Sequence, residues 1–135
     1  QGPTGVAGAT AATVATSETT TSTAYTDLAT VGPTVTVNVP ASGAVLVTIT
    51  SNAANSNAGK LVRVGFAMSG NNSASAVDTR ALLWTSGGAT DPFQGSATFY
   101  VSGLTAGSTT FTLKYKTSAN TATFLNRSLI VIPLP

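Results

Sequence analysis

Cysteine and histidine are both missing from this 135-residue chain, and charge is scarce. Without cysteine there is no disulfide, no thiolate nucleophile and no cysteine-ligated zinc. Without histidine there is no Ser-His-Asp triad and no imidazole metal ligand. Asp, Glu, Lys and Arg supply only 7% of the residues, against roughly 25% in ordinary soluble domains. The formal net charge is +2. The cations are scattered, with only Lys114 and Lys116 close together, and no basic run interleaved with aromatics argues for nucleic acid. No apolar run approaches the roughly 18 residues of a membrane span, and no signal-peptide pattern is present. Four carboxylates exist: Glu18, Asp27, Asp78 and Asp91. A glycosidase needs two of them facing one bond. Asp78 and Asp91 lie at the ends of long loops, where capping a turn or pairing with Arg80 is the ordinary use. The chain is therefore expected to be non-enzymatic, with no cofactor and no metal. Calcium is the one ion the residues could serve, through Asp27, Asp78 or Asp91 repeated around an axis.

What is abundant is Thr, Ser, Ala and Asn, carried on a period of two. Val35, Val37 and Val39 alternate with Thr34, Thr36 and Asn38; Phe111, Leu113 and Tyr115 alternate with Thr112, Lys114 and Lys116. Such alternation marks strands with one buried face, and β-branched residues favour it. The hydroxyls of the polar positions are expected to pair across strands. Turn residues punctuate the pattern at Pro40–Gly43, Gly103–Gly107 and Ser118–Thr121. About eight strands are predicted, near 25–30, 34–39, 44–50, 60–68, 79–85, 96–102, 109–117 and 121–133. That spacing predicts an all-β sandwich, with the jelly roll as leading topology.

The first ten residues place glycine at every third position, in Gly2-Pro3-Thr4, Gly5-Val6-Ala7 and Gly8-Ala9-Thr10. Collagen requires that spacing, because three chains crowd one axis. A glycine-rich leader with chance spacing is the alternative. Residues 1–10 are read as a collagen-like stub, 11–24 as a Thr/Ser-rich linker, and 25–135 as the head domain. Gln1 is expected to mark a fragment cut from something longer. Leu129-Ile130-Val131-Ile132 is apolar on both strand faces, so it needs covering twice. One cover is the sandwich core. The other is a neighbouring subunit at a threefold axis, or a loop. These four residues are the candidate trimer interface.

Five residues are ligand-contact candidates. Trp84, the only tryptophan, is read first as a core or interface aromatic and second as a sugar-stacking platform. Tyr100 falls on the polar face of its strand. Asn71 and Asn72 lie in the amide-rich loop 69–78, and Asp91 in the loop 86–95; with the loop 51–59 these offer neutral hydrogen-bonding groups suited to glycans or to plain solvation.

A Gly-X-Y tract followed by an all-β head resembles collagen-like proteins with C1q/TNF-like trimeric jelly-roll heads. Pro40-Ala41-Ser42-Gly43-Ala44-Val45-Leu46-Val47-Thr48-Ile49 looks like that family's P-x-x-G hairpin entering a core strand. Ser128-Leu129-Ile130-Val131-Ile132-Pro133-Leu134 looks like its closing strand. Tyr25–Thr30 with Gly32-Pro33, and Thr121–Arg127, resemble C-terminal domains of actinobacteria and their phages that follow collagen-like repeats. Val45 and Val47 stand where eukaryotic C1q heads carry aromatics. The resemblance implies a homotrimeric fibre head on a virion surface, which trimerises the rod and attaches to a host cell-surface glycan or protein. Its alternatives are the adhesion domain of a bacterial cell-surface protein and a structural capsid-decoration domain. No membrane insertion is expected.

Overall fold

A computed structural model describes residues 8–135 of the chain. Among the described residues nine strands build two antiparallel sheets: β1 (Thr10–Val14), β2 (Glu18–Thr20), β3 (Thr34–Val39), β4 (Val45–Asn55), β5 (Leu61–Gly70), β6 (Ala81–Thr85), β7 (Phe93–Val101), β8 (Gly107–Thr117) and β9 (Ala122–Pro133). A 3-10 turn at Asp78–Arg80 precedes β6. No helix among the described residues is long and apolar enough to cross a membrane. The first sheet runs β1-β9-β4-β7, with β2 also pairing β9; the second runs β3-β8-β5-β6. From β3 to β9 the chain switches repeatedly between the sheets in a jelly-roll order, as the sequence predicts.

The core is what the period of two dictates. In the second sheet Val35 stands opposite Phe111, and Val37, Val39, Leu113 and Tyr115 are buried with them. Val45, Val47 and Ile49 face them from the first. Burying each such side chain contributes roughly 1.5–3 kcal/mol. The threonine-rich composition also has its reason. Outward hydroxyls meet across strands at Thr36–Thr110 (2.8 Å), Thr48–Thr98 (2.9 Å) and Thr50–Ser96 (3.1 Å).

Three expectations need correction. First, residues 11–24 are not a linker. β1 and β2 add to β9, with Thr10 opposite Val131, Val14 opposite Arg127, and Glu18 opposite Phe124. Small Thr, Ala and Ser side chains hide a strand's apolar signature, yet the backbone pairs along β9. The triplets over residues 2–7 lie outside the described residues, and Thr10, the end of the third triplet, already opens β1. Second, 25–30 is not a strand. It packs along β8, with Thr26 bridged to Tyr115, Leu28 buried in the core and the Tyr25 ring lying over Gly65. Gly65 makes room for it, since a Cβ there would stand 3.1 Å from the Tyr25 ring. Third, Leu129 and Val131 are fully buried in the sandwich core and cannot meet another subunit; only Ile130 and Ile132 face outward. A bulge sets this phase. The β4–β9 register shifts between Thr50 and Asn52, and Asn126 takes φ 48° opposite it. The extra residue turns Arg127, Leu129 and Val131 inward.

The sandwich has two distinct ends. β1 starts, and β9 finishes, at the end holding the turns 40–44, 71–75 and 102–106. Ser42 Oγ donates to Leu134 O there at 2.6 Å. The turns 56–60, 86–92 and 118–121 lie at the far end.

Candidate functional site

The five candidate contact residues do not converge. Asn71 and Asn72 sit at the end where the described chain enters, and their amides are committed to the fold. Asn72 Nδ2 donates to Thr105 O and Thr109 Oγ1, both at 2.8 Å, and its Oδ1 accepts the Thr105 N–H. Asn71 Nδ2 donates to Ala106 O. Both are staples between turns. Trp84 is half-buried and stacks on Phe93, with ring centroids 3.8 Å apart and planes within 7°. One ring comes from β6 and the other from β7, so the pair closes the sandwich edge. Trp84 packs against the core, and Phe93 covers one face of its indole. Asp91 is exposed in the far-end turn 86–92. Tyr100 is 65% exposed on the outer face of the first sheet.

The acidic groups are also accounted for individually. Asp78 does not pair with Arg80. Its Oδ1 accepts from Tyr25 OH (2.9 Å) and Lys116 Nζ (2.7 Å), with Arg63 Nε at 3.8 Å. Hydrogen bonds from Lys116 and then Tyr25 hold its carboxyl below the usual value. Arg80 instead lies over the Phe66 ring. Asp27 takes Lys114 at 2.6 Å. Glu18 accepts from Arg127 Nη2 at 2.6 Å and from the Thr30 N–H and hydroxyl. Desolvation pushes Glu18 upward, but the bonds from Thr30 and Arg127 outweigh it and leave the carboxyl below its ordinary value. Among the described residues no group of three or more acidic side chains gathers to hold a metal.

Two features of the first sheet stand out once these are set aside. Its outward face carries no ionisable side chain except Tyr100. The cross-strand row Tyr100–Leu46–Ile132 lies next to the row Thr98–Thr48–Ile130; the charged Arg63, Lys114 and Lys116 all lie on the other sheet. Roughly 20 Å further along the same face, at the far end, a pocket of about 240 Å³ opens. Asn52 and Ala54 of β4 and Thr123 and Leu125 of β9 form its floor, with Ala89 and Pro92 of the turn 86–92 as a wall. A buried network fixes that turn. Ser86 Oγ accepts from the Asn55 and Gly88 N–H groups, and Asn55 Nδ2 donates to Thr117 Oγ1 and Ala119 O. The pocket was not legible in advance, because Ser51–Asn55 reads as loop although it continues the alternation of β4.

No protein-family model matches the chain, and no curated protein matches it in sequence. Solved structures do match in fold. A chain of the infectious bursal disease virus Gx strain is 18% identical with a TM-score of 0.56, over 91% of this chain. This chain spans only 31% of that viral one. The Eiger TNF of S. frugiperda is 13% identical with a TM-score of 0.53, over 96% of this chain and 94% of its own. At such identities the likeness is one of fold: the chain is a jelly-roll sandwich of the kind found in a TNF ligand and in a viral protein.

Proposed function

We propose that this chain is a non-enzymatic, homotrimeric head that ends a collagen-like rod in a virion-surface fibre. It holds three chains in register and attaches to a cell-surface glycan or protein. The observation that carries this reading is the outward face of the first sheet. Tyr100 and Ile132 stand 65% and 38% exposed there, with Leu46 between them and no charge to desolvate on association. β1 lies along the same sheet, so three chains meeting through this face would bring their N-terminal segments together. The glycine triplets upstream need that arrangement. The far end, with the turns 56–60, 86–92 and 118–121, then points away from the rod and is the surface free to attach.

Light scattering tests the reading. The expected mass is three times the 13.4 kDa of one chain, falling to one chain in Tyr100→Asp with an unchanged circular-dichroism spectrum. A monomeric parent chain at micromolar concentration overturns it.

A further inference from the structure

A strand at the end of a sheet carries a row of backbone groups without partners. The pairing of β4 shows which groups of β7 these are. The Leu134 N–H donates to Ala44 O, and Pro133, opposite Val45, has no N–H to give. Successive residues of a strand bond to opposite sides. Ala44, Leu46 and Thr48 therefore bond toward β9, and Val45, Val47 and Ile49 toward β7, where their partners are Val101, Phe99 and Ala97. That leaves Gln94, Ser96, Thr98 and Tyr100 with N–H and C=O pointing away from the sheet. β7 ends the strand order, and among the described residues no backbone group outside the sheet bonds to these four.

Sheet edges are ordinarily blunted by shortness, lysine, proline or a bulge. The other edges of this sandwich are protected in that way. β1, β2 and β6 run only three to five residues, and β3 lies between Pro33 and Pro40. β7 has no such device. It runs nine residues with no charge and no proline, in unbroken register on β4.

We propose that β7 pairs antiparallel with β7 of a second copy of this chain, across a two-fold axis at Ala97. The strand's own sequence selects this partner. In that register Ser96 stands opposite Thr98 of the second copy, and Gln94 opposite its Tyr100, so all four edge residues bond. An axis at residue 96 would set Tyr100 against Pro92, which has no N–H. An axis at residue 98 would set Gln94 against Ser102, past the end of the strand. The new Ser96–Thr98 neighbours extend hydroxyl rows that the sheet already makes, Thr48–Thr98 and Thr50–Ser96. On the inward side the small Ala97 meets itself at the axis, and Phe99, half-buried in one copy, gains cover. No charge is desolvated. The pairing goes beyond the proposed trimer, which closes through side chains on the face of the sheet and not through backbone at its edge. It joins neighbouring heads side by side.

Amide hydrogen exchange tests it on the whole chain carrying Ile132→Asp, a change on the proposed trimer face and two strands away from β7. The four edge amides are expected to exchange about tenfold more slowly at about 1 mM chain than at about 20 μM, with all other amides unchanged. Thr98→Pro deletes one edge donor where an edge strand tolerates proline, and should abolish that difference. Thr98→Lys keeps the backbone intact and should do the same at low salt, by setting two like charges beside the axis. Because the chain has no cysteine, single cysteines give a second readout. Non-hydrogen-bonded partners stand about 4.5 Å apart at Cα, within disulfide reach, so Ala97→Cys should oxidise quickly to a covalent dimer. Thr98→Cys, offset from its own copy, should do so slowly. Edge amides that exchange equally at both concentrations overturn the pairing. Edge amides already protected at the lower concentration place a segment of the same chain on the edge, and overturn it as well. Thr98→Cys dimers that form as fast as Ala97→Cys dimers overturn the register. A monomeric parent chain at micromolar concentration overturns the trimer alone, since concentration-dependent protection of the edge still supports the pairing.

Discussion

Arg127 is the largest fully buried side chain in the molecule, and it is the residue on which much of the local electrostatics turns. Its guanidinium meets Glu18 at 2.6 Å and lies 5.1 Å over the Tyr115 ring, while its Nε has no partner. Removing Glu18 would leave a buried charge uncompensated, which is the costly way to break such a pair; replacing Arg127 with an apolar chain of similar length is the mild way. Thermal melts should therefore show Glu18→Ala well below Arg127→Met, and a reversed order would discard this account. Glu18 and Asp78 also set an acid limit. Both carboxyls are held below their ordinary values in the fold. Their contribution is present in full above the unfolded carboxylate range of about 4, and is lost as pH falls through the depressed folded values. Urea midpoints should drop as pH falls below about 4, and the drop should flatten in Glu18→Gln and Asp78→Asn. None of these pairings was visible in sequence, because Glu18 and Arg127 are 109 positions apart.

Elements were legible where large β-branched and aromatic residues alternate, and illegible where the alternation is written in small polar ones. β3 was predicted residue for residue. The sequence of β1, β2 and the second half of β4 reads as linker or loop, since Thr, Ser, Ala and Asn pack a strand without announcing it. The ambiguity of Leu129–Ile132 has a different cause: a bulge at Asn126 resets which face is inward, and nothing in the run itself fixes that phase. If β1 is a working strand, a chain shortened to begin at residue 17 should lose roughly 1–3 kcal/mol in denaturant unfolding; a true linker would leave the midpoint unchanged. Asn55 supports three turns at once, so Asn55→Ala should cost about 1–3 kcal/mol and raise amide exchange in the turns 56–60 and 118–121. Exchange unchanged there would mean that other contacts hold the far end.

At the scale of the whole molecule, the charge distribution divides the two sheets. One outer face carries ion pairs and the Tyr25 ring; the other is neutral. If the proposed trimer closes through that neutral face, Ile132→Asp should shift the sedimentation profile from trimer to monomer with little change in melting, whereas Leu129→Asp, three positions earlier and inward, should prevent folding. Equal effects from both would show that β9 does not divide a buried face from an outer one. The pairing of β9 has a further consequence for biosynthesis. β9 lies between β1 and β4 and also receives β2, yet it is synthesised after the eight strands that precede it. Until it emerges, the earliest strands have no partner and the first sheet has no centre. A chain whose synthesis stops before Ala122 would lack this strand, so a product broken off there cannot close the first sheet.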